Sequence, residues 1–272
     1  MAVLLISRGS MSGGQIVAQS LSHTAQFRCV TREDLIASVN AHGEIANRVT
    51  ESIPKAAQAY GSFSEVRRPY KVLMRLALLE YARRDKLAYF GYSGHLLIDD
   101  IAHFVRVRLH ASNELRVKTT MARLRCSEEE AHDYIREVDE ERIRWTRFMY
   151  GKDLRDPGLY DLCISMDRIS FGTVASLLVH AVRESEFQAT QDSLAELDDL
   201  YLAAHIEAAL VLDPRTYDLE VGARAEKGQV RLTGPYLDGP KQSVVIEVAS
   251  SVPGTESVDY APGYAPSLAF LP

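Results

Sequence analysis

The sequence predicts an α/β protein, a parallel sheet flanked by helices, followed by a small α+β module. Three observations carry that expectation. The apolar run Ala2-Val3-Leu4-Leu5-Ile6 is followed by a loop rich in glycine and serine and then by an amphipathic segment, the strand–loop–helix order that begins an α/β unit. Residues 86–91 and 104–109 read as two further buried strands and 160–164 as another short one, separated by helix-period segments. Near residue 196 the pattern changes to α-β-β-α-β.

Taken in order, residues 15–21 read as an amphipathic helix. Residues 32–60 and 65–85 read as helical, with Leu73, Leu76, Ala77 and Leu79 at three- and four-residue spacing. Residues 113–123 form a helix with Ser112 as its cap. Ser127 and the acids Glu128, Glu129 and Glu130 open another that continues through Trp145. Residues 170–183 close the first region, and the polar stretch 184–196 reads as a linker. A helix over 195–212 ends at Asp213-Pro214. Alternating runs at 217–225 and 229–233 flank Glu226-Lys227-Gly228, a hairpin signal. A helix over 241–252, a turn at Pro253-Gly254 and a strand over 256–260 complete the module. The domains expected are therefore 1–187 and 196–261, with an extended tail over 262–272.

Composition narrows the function classes. Hydrophobic residues make up 46% and charged residues 25% of the 272 positions, which excludes collagen-like and wholly disordered chains. No run of 18 apolar residues is present, so a spanning helix is not expected. The first residues lack a basic flank and a small-residue cleavage pattern, and Cys29, Cys126 and Cys163 are too few and too scattered for a disulfide scaffold. Both point to a cytoplasmic location with reduced thiols. Residues 1–190 hold 26 Lys+Arg against 24 Asp+Glu, whereas residues 191–272 hold 5 against 13. That balance argues against a nucleic-acid partner. His42, His95, His103, His110 and His132 are scattered without metal-ligand spacing, so no metal site is expected. Asp99-Asp100 reads as a surface turn, and Trp145 and Phe148 as packing residues.

The loop Arg8-Gly9-Ser10-Met11-Ser12-Gly13-Gly14-Gln15 holds the sharpest signal. A glycine-rich loop between a buried strand and a helix can cradle phosphate with backbone N–H groups. It can equally be a strand-to-helix turn that uses glycine for positive φ. The complete phosphate-loop pattern ends in Gly-Lys-Ser/Thr, but Gly13-Gly14-Gln15 stands here. The lysine is missing, and Arg8 and Arg32 are its candidate replacements by nearness in sequence.

Residues 1–185 resemble the cytidylate kinase-like family, a branch of the P-loop nucleoside monophosphate kinases. Three stretches carry the resemblance: Ile6-Ser7-Arg8 with Ser12-Gly13-Gly14; Arg106-Val107-Arg108-Leu109 with Arg116-Val117-Lys118; and Ser127 to Ala131, Asp139-Glu140-Glu141-Arg142 and Asp156 to Leu162. The resemblance implies a five-stranded P-loop NTPase-like sheet and phosphoryl transfer from ATP, with Mg²⁺, to a nucleoside monophosphate. It implies that Arg8, Ser12, Gly13, Gly14 and Gln15 hold the donor. It places Asp139, Arg142 and Arg32 at the acceptor, with Arg142 and Arg147 assisting at the phosphates. Read from the residues alone, the charges of 127–149 also fit a solvated helix with i,i+4 pairs. The family usually has Gly at Met11, Arg at Gln15, Asp at Thr31 and Arg at Tyr92, and the last three departures each remove a charge from a region expected to hold phosphate or metal. A nucleotide sensor without turnover is therefore the alternative expectation.

The C-terminal stretch resembles a BON domain, through Gly228-Gln229-Val230-Arg231-Leu232-Thr233-Gly234 and Val252-Pro253-Gly254. That resemblance implies a ligand-binding or self-associating module.

Overall fold

The computed structural model describes residues 2–58, 64–84, 86–98 and 100–263. They form two compact units, one of residues up to 32 together with 84–189, the other of 33–83 together with residues from 190 on. The second unit therefore combines helices of residues 33–83 with the acidic C-terminal stretch.

The first unit is built on a five-stranded sheet in the order β2-β3-β1-β4-β5. Its strands are β1 (Val3–Arg8), β2 (Arg28–Thr31), β3 (Leu87–Gly91), β4 (Phe104–His110) and β5 (Leu162–Ser165). All four pairings are parallel. β1 is central and buried over its first five residues, which is why its sequence is continuously apolar rather than alternating. Strands are added first on one side of β1 and then on the other. In an open α/β sheet that reversal opens a crevice at the strands' carboxyl ends. One face is covered by α1 (Gly14–Ala25) and α7 (Phe171–Ala181), whose Val17, Leu21, Val174 and Leu178 pack on Leu4, Ile6, Val105 and Val107.

Two helices follow the caps that the sequence displays. α5 (Asn113–Leu124) starts at Ser112, whose hydroxyl accepts from the Leu115 N–H at 3.3 Å. α6 (Glu128–Tyr150) starts in a capping box in which Ser127 and Glu130 satisfy each other's backbone N–H groups.

Some expectations need correction. β2 was not expected: it is a four-residue edge strand with Val30 its one buried residue, too little apolar signal to read. The helix expected over 32–60 is two, α2 (Arg32–Asn40) and α3 (Glu44–Gln58), broken at Gly43 with φ 101°; positions 59 and 60 lie outside the described residues. The linker expected at 184–196 already contains the start of α8 (Gln191–Leu212), capped by Thr190 and Ser193. The run at 217–225 enters the sheet only at residue 222. Asp99 and the tail from 264 onward lie outside the described residues.

The second unit contains α4 (Ser64–Ala82), α8, β6 (Gly222–Glu226), β7 (Gln229–Gly234), α9 (Gly239–Ser250) and β8 (Ser257–Pro262). The C-terminal order is α-β-β-α-β, as expected. Lys227 and Gly228, at φ 49° and 82°, make the two-residue hairpin between β6 and β7. α8 is apolar on more than one side because it packs both on this sheet and on α4. Among the described residues no helix is long and apolar enough to cross a membrane.

Buried charge marks the packing of α4. Arg68 donates to the backbone oxygens of Leu219, at 3.0 Å, and Val221. Arg75 lies 3.6 Å from Glu207, whose other oxygen accepts from the Ala223 N–H at 3.0 Å. Burial, with Arg67 and Arg75 adding to it, pushes the Lys71 ammonium down to about 8. Removing one partner of a buried pair leaves the other charge uncompensated, at a cost of about 3–5 kcal/mol. Glu207→Ala is therefore expected to lower the unfolding free energy of this unit by about that amount. Urea unfolding checks it, and a loss below about 1 kcal/mol would show that the pair contributes little.

Candidate functional site

At the carboxyl ends of β1 and β4 the chain leaves a cleft of about 510 Å³, within the range of small-molecule sites. Its cations are Arg8 at the end of β1, Arg108 on β4, Arg116 on α5, Arg142 on α6 and Arg155 on the loop before β5; the other lining residues include Tyr92, His110 and Asp139. Among the lining residues Asp139 is the one carboxylate facing five guanidinium groups. An arginine stays charged in a protein, so the cleft is built for an anion.

The loop after β1 is held from two sides. Gly9 N–H bonds the Leu109 oxygen at 3.0 Å, tying the loop to β4. Arg116 donates through Nε to the Ser10 carbonyl at 2.9 Å and through Nη2 to the Ser10 hydroxyl and to Asp139, the latter at 2.7 Å. The Ser10 hydroxyl donates to Asp139 at 2.9 Å. Arg142 donates to the Arg8 carbonyl at 3.2 Å and lies 5.3 Å from the centre of the Tyr92 ring. The two helices thus fasten the loop through Arg116, Asp139 and Arg142.

Inside the loop, Met11 and Gly13 are left-handed, with φ 56° and 80°. These turns leave the N–H groups of residues 11–15 without an acceptor among the described residues, the geometry of an anion nest at a helix N-terminus. The Ser12 hydroxyl is turned inward to the Gly9 oxygen at 2.9 Å. Gly13 must be glycine twice over: its φ is positive, and a Cβ there would come within 2.2 Å of the Phe171 ring. Gln15 is exposed.

The other expected residues lie as follows. Asp139 and Arg142 come together with the loop, as described. Arg32 places its guanidinium 5.8 Å from the centre of Trp145. Arg147 bonds Asp153 at 3.0 Å and does not line the cleft. Asp153 also holds Arg155 at 2.6 Å, and chiefly that pairing keeps its carboxyl well below the usual range. Ser10, Arg108, Arg116 and Arg155 were not assigned roles from the sequence. A strand-end arginine in a parallel sheet was a readable signal for Arg108; nothing local marks Arg155.

Behind the cleft, a buried network closes the floor. Ser7 donates to the Tyr92 oxygen at 3.1 Å, Tyr160 donates to the Leu154 oxygen at 2.9 Å, and Arg108 donates to the same carbonyl. The His95 ring lies tilted at 46° against that of Tyr160, with centres 4.7 Å apart. It is 6% exposed, and neither ring nitrogen has a hydrogen-bond partner among the described residues. Burial, reinforced by Arg106 and Arg108, pushes it down to about 3, so it is neutral in the folded protein. Among the described residues, no cluster of three metal-ligating side chains occurs.

Residues 3–168 match a family model, that of the cytidylate kinase-like family. Among solved structures, the chain is similar to an uncharacterized protein from Eubacterium ventriosum ATCC 27560, at 15% identity and a TM-score of 0.49, over 67% of this chain and 98% of that one. It is also similar to shikimate kinase from Bacteroides thetaiotaomicron, at 11% identity and a TM-score of 0.39, over 67% of this chain and 99% of that one. No curated protein matches.

His95 yields a pH prediction. Its folded value lies below the ordinary 6.5, so between about 3 and 6.5 the unfolded chain binds the extra proton. Stability contributed by the neutral ring is complete above pH 6.5 and falls as the pH drops, by up to about 1.4 kcal/mol per unit. Urea midpoints measured from pH 7 to 4.5 should fall less steeply in His95→Phe than in the parent. Identical slopes would contradict the assignment.

Proposed function

The chain belongs to the cytidylate kinase-like family, and from that premise we propose that the arginine-lined cleft binds a nucleoside triphosphate by its phosphates and serves transfer to a nucleoside monophosphate. The observation that carries this reading is the convergence of five guanidinium groups on one cleft at the strands' carboxyl ends, next in the chain to a loop whose residue 11–15 amides have no acceptor among the described residues. Phosphoryl transfer asks a protein mainly for positioning and neutralisation of negative charge, and arginine offers both through its planar fork of donors.

In this reading the amides around Ser12, Gly13 and Gly14 hold the donor's phosphates, Gln15 lies at their edge, and Asp139 and Arg142 face the acceptor. Arg32 and Arg147 are assigned to phosphate on resemblance alone, and Arg147 would first exchange Asp153 for substrate. ATP is the donor that the family implies and supplies the phosphoryl group. Mg²⁺ would enter on its phosphates, because the cleft's one carboxylate, Asp139, is already bonded to Arg116 and Ser10.

A second reading, a nucleotide sensor without turnover, is favoured by a specific observation. Asp139 and Arg142 are both engaged in holding the loop, and the loop lacks the usual lysine. The 196–261 module, read as BON-like, would then report the bound state by binding a ligand or a second copy. A cytoplasmic location fits both readings.

Two assays on the full chain separate these. A ligand at 100 times its Kd adds about 2.7 kcal/mol of stability, so ATP should raise the melting temperature by several degrees. A coupled assay of ADP release is then run with each nucleoside monophosphate. Release that depends on one monophosphate supports the kinase reading. Binding without release supports the sensor, and no shift with any nucleotide would overturn both.

A further inference from the structure

The two helices that cover one face of the five-stranded sheet carry no charged residue. α1, of 12 residues, and α7, of 11, hold no Asp, Glu, Lys or Arg, although charged residues make up 25% of the chain. Every other described α-helix carries them. Burial does not explain the difference. The inner stripe of Val17, Leu21, Val174 and Leu178 is buried, but Gln15, Gln19, Thr173 and Ser176 are exposed, and Ile16 and Leu177 are each 45% exposed. The outward side of a surface helix is ordinarily charged. Depletion of charge is the compositional mark of the centre of a protein–protein interface.

Electrostatics points to what covers this face. The helices run side by side in the same direction, each following a strand of a parallel sheet. Their starts adjoin, since a Cβ at Gly13 would fall 2.2 Å from the Phe171 ring, and they share one core cluster. Their dipoles are therefore aligned, with both positive ends together and both negative ends together. A second copy of the same pair, turned about a twofold axis across the helices, sets positive ends against negative ones. A twofold contact also sets a patch against itself. Most of this surface belongs to a chain of net charge −6, where copies repel, but the α1–α7 face brings no like charges together. It also offers no Lys or Arg to a nucleic acid or an anionic membrane. The face is small. The rise per residue makes it about 18 Å long, and the usual spacing of packed helices makes it about 20 Å wide. It thus presents roughly 350 Å² to a flat partner, below the roughly 800 Å² per partner of a standard stable interface.

We propose that the uncharged face of α1 and α7 is where two copies of this chain associate, as a weak twofold dimer with the helix pairs antiparallel and Ile16 and Leu177 buried between them. The association is of the transient class because the area is small. It does not rest on the nucleotide reading, and it stands or falls separately from it.

The test is sedimentation velocity of the full chain over a concentration series from about 1 to 500 µM, each variant's fold being checked by circular dichroism. The parent should follow a monomer–dimer equilibrium with a Kd on the order of 100 µM. Ile16→Glu combined with Leu177→Glu should remain monomeric throughout, and so should Ile16→Lys combined with Leu177→Lys. Both positions are exposed, so neither change opens a cavity. An equimolar mixture of the Glu and Lys variants should associate again, to within about tenfold of the parent. Whichever of the two positions meet across the axis, each contact in the mixed dimer pairs opposite charges. Ser176→Glu, at a position already polar and exposed, should weaken association by about fivefold or more. Leu124→Glu, at an equally exposed apolar residue on α5, should leave it unchanged. The proposal is overturned if the parent stays monomeric at the highest concentration or grows beyond a dimer. It is overturned equally if the Glu variants associate as the parent does, if the mixture stays monomeric, or if Leu124→Glu abolishes association.

Discussion

Positive charge without its counter-charge is the constraint on which this site depends. Five arginines meet at the carboxyl ends of β1 and β4 with one carboxylate, Asp139, among them. Such crowding costs free energy in an empty cleft, and the fold bears that cost by giving three of the guanidiniums structural partners. Arg116 takes Asp139 and Ser10, Arg142 takes a carbonyl and an aromatic face, and Arg108 takes the Leu154 carbonyl. The arginines that remain turned to the cleft differ in kind: Arg155 is tied to Asp153, while Arg8 lies over the helix start. The loop is thus preorganised, and a ligand that neutralises it gains from an arrangement already in place.

The legible part of the fold was that governed by local pattern. β1 and β3 are apolar because both faces are covered, and Ser112, Ser127 and Ser170 sit at real helix starts where their hydroxyls satisfy backbone N–H groups. The hairpin at Lys227-Gly228 was readable because two positive φ angles restrict the residue types. β2 was not readable, since an edge strand buries little, and the break at Gly43 was hidden inside a continuing apolar period. The site divides in the same way. Its loop shows in the chain as glycine and serine after a strand. The partnerships of Arg116 with Ser10, and of Arg8 with Gly14, join residues whose relation exists only once the sheet has formed. Gly14 shows the same limit, because the Arg8 stem against which a Cβ at 14 would fall, 2.5 Å from Cδ, is visible only in the fold.

The second unit gives α4 a different environment from that of an ordinary surface helix. Arg68, Lys71 and Arg75 lie on one face of it, all buried, against the buried carboxylate of Glu207 and two backbone oxygens. A charged face of this kind can be buried only against a partner that supplies acceptors, and here β6 and its approach supply them. The C-terminal stretch therefore completes the packing of helices that precede it by more than a hundred residues, so the two parts of that unit share one core.

The most direct measurement of the central claim is a crystal structure of the full chain with a non-hydrolysable ATP analogue. The account predicts phosphate oxygens within hydrogen-bond distance of the amides of residues 11–15 and of the cleft's guanidinium groups, with the loop in its present conformation. An analogue bound elsewhere, or a cleft closed by its own side chains at saturating analogue, would contradict it.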